Sequence, residues 1–323
     1  MHTALSFRLI SILLLAIATF DAHAQETYPS RPVRIVVPLA PGALSDGLSR
    51  AFATELGKIL NQTVIVENKP GAGTVLGTQT AKRAPADGYT ILFHTDALVS
   101  TTLAMKEPGY QPSDFKLIGL LGDTSFALMT PMTLPPKTLK EFVDYAKANP
   151  GKLNYAVLGV GGPLHVLAER FKRTAKFEWE AIPYKGGAPA YQALMANEVQ
   201  GFFSNVSGAL TFKEAGKLRV LAVAADDRSE FMPDVPTFKE LGYDGIVVPT
   251  WTALFVRSDT PAPIVEKLRH AAAEVMALEV MKNHLRTFGM SPHRGSIDDV
   301  AATFPDLLKR TAEDMRLLGI QPQ

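Results

Sequence analysis

From Val33 to Leu39 the chain is a nearly unbroken apolar run, and Pro41-Gly42 then stops it. A strand that is apolar at both parities is buried on both faces, as in a parallel sheet covered by helices on each side. The same unit recurs downstream. After the stop, Ser45 or Asp46 can cap a helix whose Leu48, Phe52, Leu56 and Leu60 return at helical spacing. Thr63 to Glu67 reads as the next strand. The turn Pro70-Gly71-Ala72-Gly73 leads into a helix near Thr74 to Lys82, and Asp87-Gly88 precedes a strand from Tyr89 to His94.

The alternation continues through strands near 115–121, 126–130, 153–157, 179–184, 199–203 and 218–224. Helices fall at 139–148, from Pro163, and near 189–196. After a strand near 251–256 the pattern turns helical, over 264–278, around 280–288 and over 298–318, with a kink or restart expected at Pro305. This predicts an α/β fold of two lobes, each a mostly parallel sheet flanked by helices, with the C-terminal helices returning to lobe one. Lobe one is expected to span 25–124 plus 250–323 and lobe two 125–249. No long Gly/Ser or Pro-rich linker separates them, which fits a hinge.

The first 24 residues are laid out as an export signal: Arg8, an apolar run from Leu9 to Phe20, and Ala22-His23-Ala24 at a cleavage point after Ala24. The run is roughly a dozen residues, short of the ~20 that span a bilayer. A periplasmic protein is expected, with no lipid anchor, because no Cys lies near the cut. The 33 basic and 32 acidic residues leave a formal net charge of +1, which removes the electrostatic case for nucleic acid or an anionic membrane. With no Cys anywhere, thiolate chemistry and disulfides are excluded.

The vocabulary of catalysis is missing. The chain has no Gly-x-Ser-x-Gly elbow, no Gly-x-x-x-x-Gly-Lys phosphate loop and no His-Glu-x-x-His pair, so no catalytic residue, metal site or cofactor is assigned. Gly159-Val160-Gly161-Gly162 lacks the third glycine of a dinucleotide loop. In His94-Thr95-Asp96 adjacent side chains point to opposite faces, and His94 is expected to be a satisfied strand-end imidazole. What recurs instead is a glycine-rich turn between a strand end and a helix start, at 41–46, 70–74 and 159–163. Unpaired amides and the partial positive charge of a helix start hold an anion without Lys or Arg. Such turns are also routine connections.

Several stretches together resemble the Bug family, the periplasmic substrate-binding receptors of tripartite tricarboxylate transporters. They are 28–38 (Tyr28-Pro29-Ser30-Arg31-Pro32 into Val33-Arg34-Ile35-Val36-Val37-Pro38) with Pro41-Gly42, 64–73 (Val64-Ile65-Val66-Glu67-Asn68-Lys69-Pro70-Gly71-Ala72-Gly73), and Asp87-Gly88-Tyr89-Thr90. Further on come Ala148-Asn149-Pro150-Gly151-Lys152-Leu153-Asn154-Tyr155, Pro183-Tyr184-Lys185-Gly186 and Ala215-Gly216-Lys217-Leu218-Arg219. The resemblance implies a periplasmic-binding-protein architecture, closure on a small carboxylate, and delivery by a monomer to membrane permease subunits. It points to Gly42, Ala43, Ser45 and Asp46 on the first loop, and to Gly161, Gly162, His165, Asn205 and Ser207 on the opposing lobe. Thr95 and Asp96 join them at the end of the third strand. For Asp46, capping the helix competes with ligand contact.

The departures from that family bear on the ligand. Its first loop commonly runs through consecutive glycines into Thr-Asp, whereas this chain has Gly42-Ala43-Leu44-Ser45-Asp46. Val157-Leu158 replaces small hydroxyl residues, and Ser204 replaces a common Asp. Fewer polar groups then point inward, and the expected ligand is a carboxylate with a larger apolar or aromatic body and no amino group. Two other readings use the same cleft: a ligand-sensing partner of a membrane kinase, and a hydrolase or isomerase working through Asp46, Asp96 or His165.

Overall fold

The computed structural model describes residues 28–42, 44–158, 162–248, 251–293, 295–317 and 319; the stretch expected to be an export signal, Ala43 and Gly161 lie outside them. The first block contains β1 (Val33–Val37), α1 (Leu44–Leu60), β2 (Val64–Asn68), α2 (Val75–Arg83), β3 (Thr90–Thr95), α3 (Ala97–Ala104) and β4 (Phe115–Gly122). The second contains β5 (Phe126–Pro131), α4 (Leu139–Ala148), β6 (Asn154–Val157), α5 (Pro163–Ala175), β7 (Glu180–Pro183), α6 (Gly187–Met195), β8 (Gly201–Asn205), α7 (Val206–Glu214) and β9 (Leu218–Ala224). The chain then returns through β10 (Thr252–Arg257), α8 (Ala262–Ala277), α9 (Glu279–Thr287) and α10 (Ile297–Leu317).

Two five-stranded sheets result, ordered β2-β1-β3-β10-β4 and β7-β6-β8-β5-β9. In the first, β10 is antiparallel to both neighbours while β2, β1 and β3 pair in parallel. In the second, β5 takes the reversed place beside β8 and β9. Four strands of each sheet therefore run one way, and the fifth is the strand delivered from the other lobe. Because β4 and β9 each end where the chain leaves its lobe, the parallel strands aim their C-terminal ends at the junction between lobes.

Burial follows the two-residue period of a strand. On one face of the first sheet Ile35, Ile91, Phe93 and Leu254 pack with Leu48 and Phe52 of α1 and Leu268 of α8. On the other, Leu92, Leu117 and Phe255 pack with Val75, Leu98 and Val300 from α2, α3 and α10. The second sheet is covered likewise, with Tyr155, Val157 and Phe203 against Phe142, Phe171 and Trp179, and Ala156 and Phe202 against Leu194 and Ala209. Helices on both faces explain why β1 reads as a continuous apolar run. The helix α10 passes through Pro305 as one element, without the restart that was one of the two outcomes expected there, a kink being the other. Pro305 and Ala301, whose carbonyl loses its usual partner, are both exposed, so water can take that carbonyl.

At the crossing between lobes, Asp123 and Ser291 exchange backbone hydrogen bonds of 2.9 and 3.0 Å, and the Val206 amide donates to the Ser125 carbonyl at 2.9 Å. The His293 Nδ1 stands 2.7 and 2.8 Å from the two Asp123 carboxylate oxygens.

Gly77 sets how closely α2 approaches the junction end of the first sheet. A Cβ there would lie 2.6 Å from Pro38 Cα and 2.9 Å from the Lys69 carbonyl oxygen, both main-chain atoms just beyond β1 and β2. Gly77→Ala is expected to lower stability by about 1–3 kcal/mol, although alanine is the better helix former by roughly 1 kcal/mol. Urea unfolding checks this, and an unchanged or raised midpoint would refute the close-approach argument.

Candidate functional site

The helix α1 opens at Leu44, so Ser45 and Asp46 lie inside its first turn, both buried, and neither is the cap residue expected from the sequence. The Asp46 carboxylate bends back into the preceding loop. Its Oδ2 accepts the Gly42 amide at 2.9 Å, and an Arg50 guanidinium nitrogen lies 2.9 Å from Oδ1. The Arg50 hydrogen bond, then the Gly42 amide, hold this carboxyl below its ordinary range against the opposing effect of burial. Asp46 is thus ionised, locally neutralised and committed to shaping the loop. Gly42 supplies a left-handed backbone turn, φ +82°. Its own N–H is spent on Asp46, so any donors this loop offers an anion are the first-turn amides of α1.

Two residues that sequence reasoning passed over complete that jaw. Phe288, just after α9, brings its ring 2.8 Å from where a Cβ on Gly47 would stand, so the absence of a side chain at 47 makes room for it. A Cβ on Gly289 would lie 2.6 Å from Ser207 Cβ and 2.9 Å from Ser207 Cα. Ser207 sits in the first turn of α7, on the other lobe, so the starts of α1 and α7 are brought together through Phe288-Gly289. In the sequence this pair is only an ordinary helix ending in glycine.

On lobe two, Asn205 ends β8 and caps α7, its Oδ1 accepting the Gly208 amide at 3.1 Å. Ser204 hydrogen-bonds to the Tyr191 hydroxyl and lies 3.4 Å from the same Asn205 oxygen. With that oxygen occupied, the Asn205 side-chain NH2 makes no hydrogen bond among the described residues and is available as a donor. Gly162 is the cap residue of α5. His165, one turn in, lies along β6 with its ring centroid 6.3 Å from that of Tyr155; burial lowers its pKa, with Glu169 opposing.

Beneath α3, Thr95 Oγ1 accepts the Ala97 amide at 3.3 Å, and the Thr95 amide donates to His94 Nδ1 at 2.9 Å. The His94 Nε2 is 3.0 Å from the Thr78 hydroxyl, and burial brings its pKa down to about 4. It is the satisfied, neutral strand-end imidazole expected. Asp96 precedes α3 and shares a cavity with Pro163 at the start of α5. Burial pushes its carboxyl up to about 7, with its own backbone amide opposing. Near neutral pH it can therefore take the protonated form and donate a hydrogen bond to a carboxylate, where an ionised Asp would repel one.

Helix starts from both lobes, α1 and α3 on one side and α5 and α7 on the other, thus meet across the junction. A second cavity lies at the hinge, where Asp123, Asp226, Asp227 and Glu230 face one arginine, Arg228, itself paired with Glu240. Like charge makes that cavity hostile to a carboxylate.

Residues 48–319 match the model of the tripartite tricarboxylate transporter family receptor, TctC. The chain belongs to this family. Among solved structures it is similar to the periplasmic binding protein BugD, 31% identical, covering 92% of this chain and 100% of that one at a TM-score of 0.78. An R. palustris protein solved with adipate is 28% identical, with 92% and 100% coverage and a TM-score of 0.81. MatC from Rhodopseudomonas palustris, solved with bound malate, is 29% identical, with 89% and 99% coverage and a TM-score of 0.76. TctC membership makes the chain a binding receptor of the Bug type and not an enzyme. No helix among the described residues is long and apolar enough to cross a membrane.

Loss of the Asp46 carboxylate tests its place in the first jaw of this TctC receptor. Asp46→Ala is expected to cost about 1.5–3 kcal/mol, the range for a hydrogen bond to a charged group, with the half-exposed Arg50 favouring the lower end. The folded-state pKa is depressed, so the contribution is full above the ordinary value of 3.8 and is lost as pH falls through the lower folded value. Urea midpoints of wild type and variant should therefore differ at neutral pH and converge in acid. A gap that persists undiminished in acid would mean that the charge does not carry the effect.

Proposed function

We propose that this receptor captures a small carboxylate with an apolar, aromatic body between its lobes, and hands it to the membrane permease subunits of a tripartite tricarboxylate-type transporter. The observation that carries this reading is the meeting of helix starts from both lobes, made by the contact of Gly289 with Ser207 and by the cavity that Asp96 shares with Pro163. A neutral chain attracts an anion there through backbone amides rather than basic side chains. The carboxylates seen in two related structures, malate and adipate, support the same ligand chemistry.

The ligand contacts proposed are the first-turn amides of α1 around Ser45, the Asn205 side-chain NH2 and the Ser207 amide, with Asp96 as a hydrogen-bond donor. Gly42 and Asp46 act by shaping the loop. Thr95, Gly162 and His165 border the cleft in this reading, and Ala43 and Gly161, which lie outside the described residues, remain proposed contacts. The aromatic preference rests on Phe288, beside the contact between lobes, and on Leu158, 40% exposed just beyond the end of β6. Leu44 adds apolar surface, although part of it leans into the lobe-one core. Removal of residues 1–24 would deliver the mature chain to the periplasm, with 25–124 and 250–323 as lobe one and 125–249 as lobe two.

A thermal-shift screen tests the ligand class with benzoate, malate, adipate, citrate and aspartate. A ligand at a hundred times its Kd stabilises by about 2.7 kcal/mol, which for a chain of this size raises Tm by roughly 5 °C. Benzoate is expected to give the largest rise and aspartate none. Stabilisation by citrate or aspartate alone would sink the aromatic reading.

A further inference from the structure

The cavity shared by Asp96 and Pro163 continues away from the helix starts, between α5 and α10. Val166, Val248 and Leu307 are its apolar lining, Thr311 and Ser100 its hydroxyl groups, and the exposed Arg310 borders it as well. One wall is closed by an ion pair between lobes: Arg170 of α5 bonds Asp314 of α10, and also donates to the Gly245 and Val247 carbonyls at 3.1 and 2.7 Å. The volume is about 70 Å³. One water needs roughly 10–15 Å³ on this measure, so the space admits about five non-hydrogen atoms.

Protein interiors keep few voids larger than a water molecule. This one is assembled from both lobes, since Asp96, Leu307 and Thr311 belong to elements packed on the first sheet and Val166 to a helix packed on the second. Asp96 before α3 and Pro163 at the start of α5 are part of its lining. On the first sheet β1 and β3 are adjacent strands, about 4.8 Å apart, so the loops that follow them, carrying Gly42 and Asp96, leave the same edge of the sheet side by side. Arg170 is already engaged by Asp314 and two carbonyls, and the other cation of the lining, Arg310, is exposed to solvent.

We propose that this cavity is a subsite for the distal end of the ligand, so that the receptor selects elongated carboxylates whose apolar tail passes Asp96 and ends among Val166, Val248 and Leu307. The inference rests on the carboxylate-receptor reading and deepens it: benzoates with a short para-alkyl group fit, whereas compact hydroxylated acids leave the space empty. Because the walls come from both lobes, filling it favours the closed arrangement.

The test is calorimetric titration of the full chain with benzoate, 4-methylbenzoate, 4-propylbenzoate and 4-hexylbenzoate, with malate and adipate alongside. Each added methylene is expected to tighten binding about fourfold, up to the propyl group and no further. Thr311→Phe, which fills the cavity, should erase the gain from the alkyl group and leave benzoate itself unchanged. Leu307→Ala, which enlarges it, should move the plateau to a longer chain. Binding independent of chain length in the wild type, a plateau that Leu307→Ala leaves in place, or equal losses for benzoate and 4-propylbenzoate in Thr311→Phe would overturn the subsite while leaving the carboxylate reading intact. If none of the benzoates, malate or adipate binds, the carboxylate reading fails and the subsite falls with it.

Discussion

The rest of the structure depends on one strand in each sheet running against the others. A strand supplied by the opposite lobe must enter at the junction and run away from it, while strands native to the lobe end there. β10 and β5 are the intruders, and each sits inside its host sheet with partners on both sides. The exchange binds the lobes without a large fixed interface, and it leaves the C-terminal ends of the native strands facing one another. Open α/β sheets place their ligands beyond those ends. The cleft is therefore a consequence of topology before any particular side chain is considered.

Charge explains how a nearly neutral protein can make that cleft attractive to an anion. Helix starts bring partial positive charge from both sides, and the acidic residues nearest to them are disarmed in different ways. Asp46 keeps its charge but is matched by Arg50 and the Gly42 amide. Asp96 has its carboxyl pushed up to about 7 by burial, so near neutral pH a share of it is protonated. The larger acidic cluster lies instead at the hinge, where of its four carboxylates Asp123 is met by His293. Attraction and repulsion are thus distributed by position along the junction, with no need for a net charge on the chain.

The fold was legible because its signals are periodic. The apolar run of β1, the helical spacing of Leu48, Phe52, Leu56 and Leu60, and the Gly-Pro punctuation all reflect local burial on one or two faces. The shift to helices after Trp251 was enough to anticipate the return to lobe one. Less legible were features that depend on contact between distant segments. The reversal of β5 and β10 leaves no mark on their composition, and α3 and α7 escaped notice because Ala97–Ala104 and Val206–Glu214 lack a clear amphipathic stripe. The candidate jaw at 41–46 could be found from its turn chemistry. Phe288 and Gly289 could not, since their meaning comes from Gly47 and Ser207, which lie far away in sequence.

Those two residues also change what the departures in the first loop mean. Leu44 on its own would seem to fill the place of a glycine with bulk pointed at the ligand. In the folded chain Leu44 and Phe288 both pack against the lobe-one core, so the apolar character of this jaw belongs to a surface that is partly buried and already supported. A supported apolar surface is stiff, and stiffness favours a flat, rigid ligand that loses little entropy on binding over a flexible polar acid that would have to be ordered and desolvated. The Gly289 contact with Ser207 adds that this surface lies where the two lobes touch, so a ligand covering it is met by both lobes at once. In the reading proposed above, selection of the ligand and closure of the cleft draw on the same contacts.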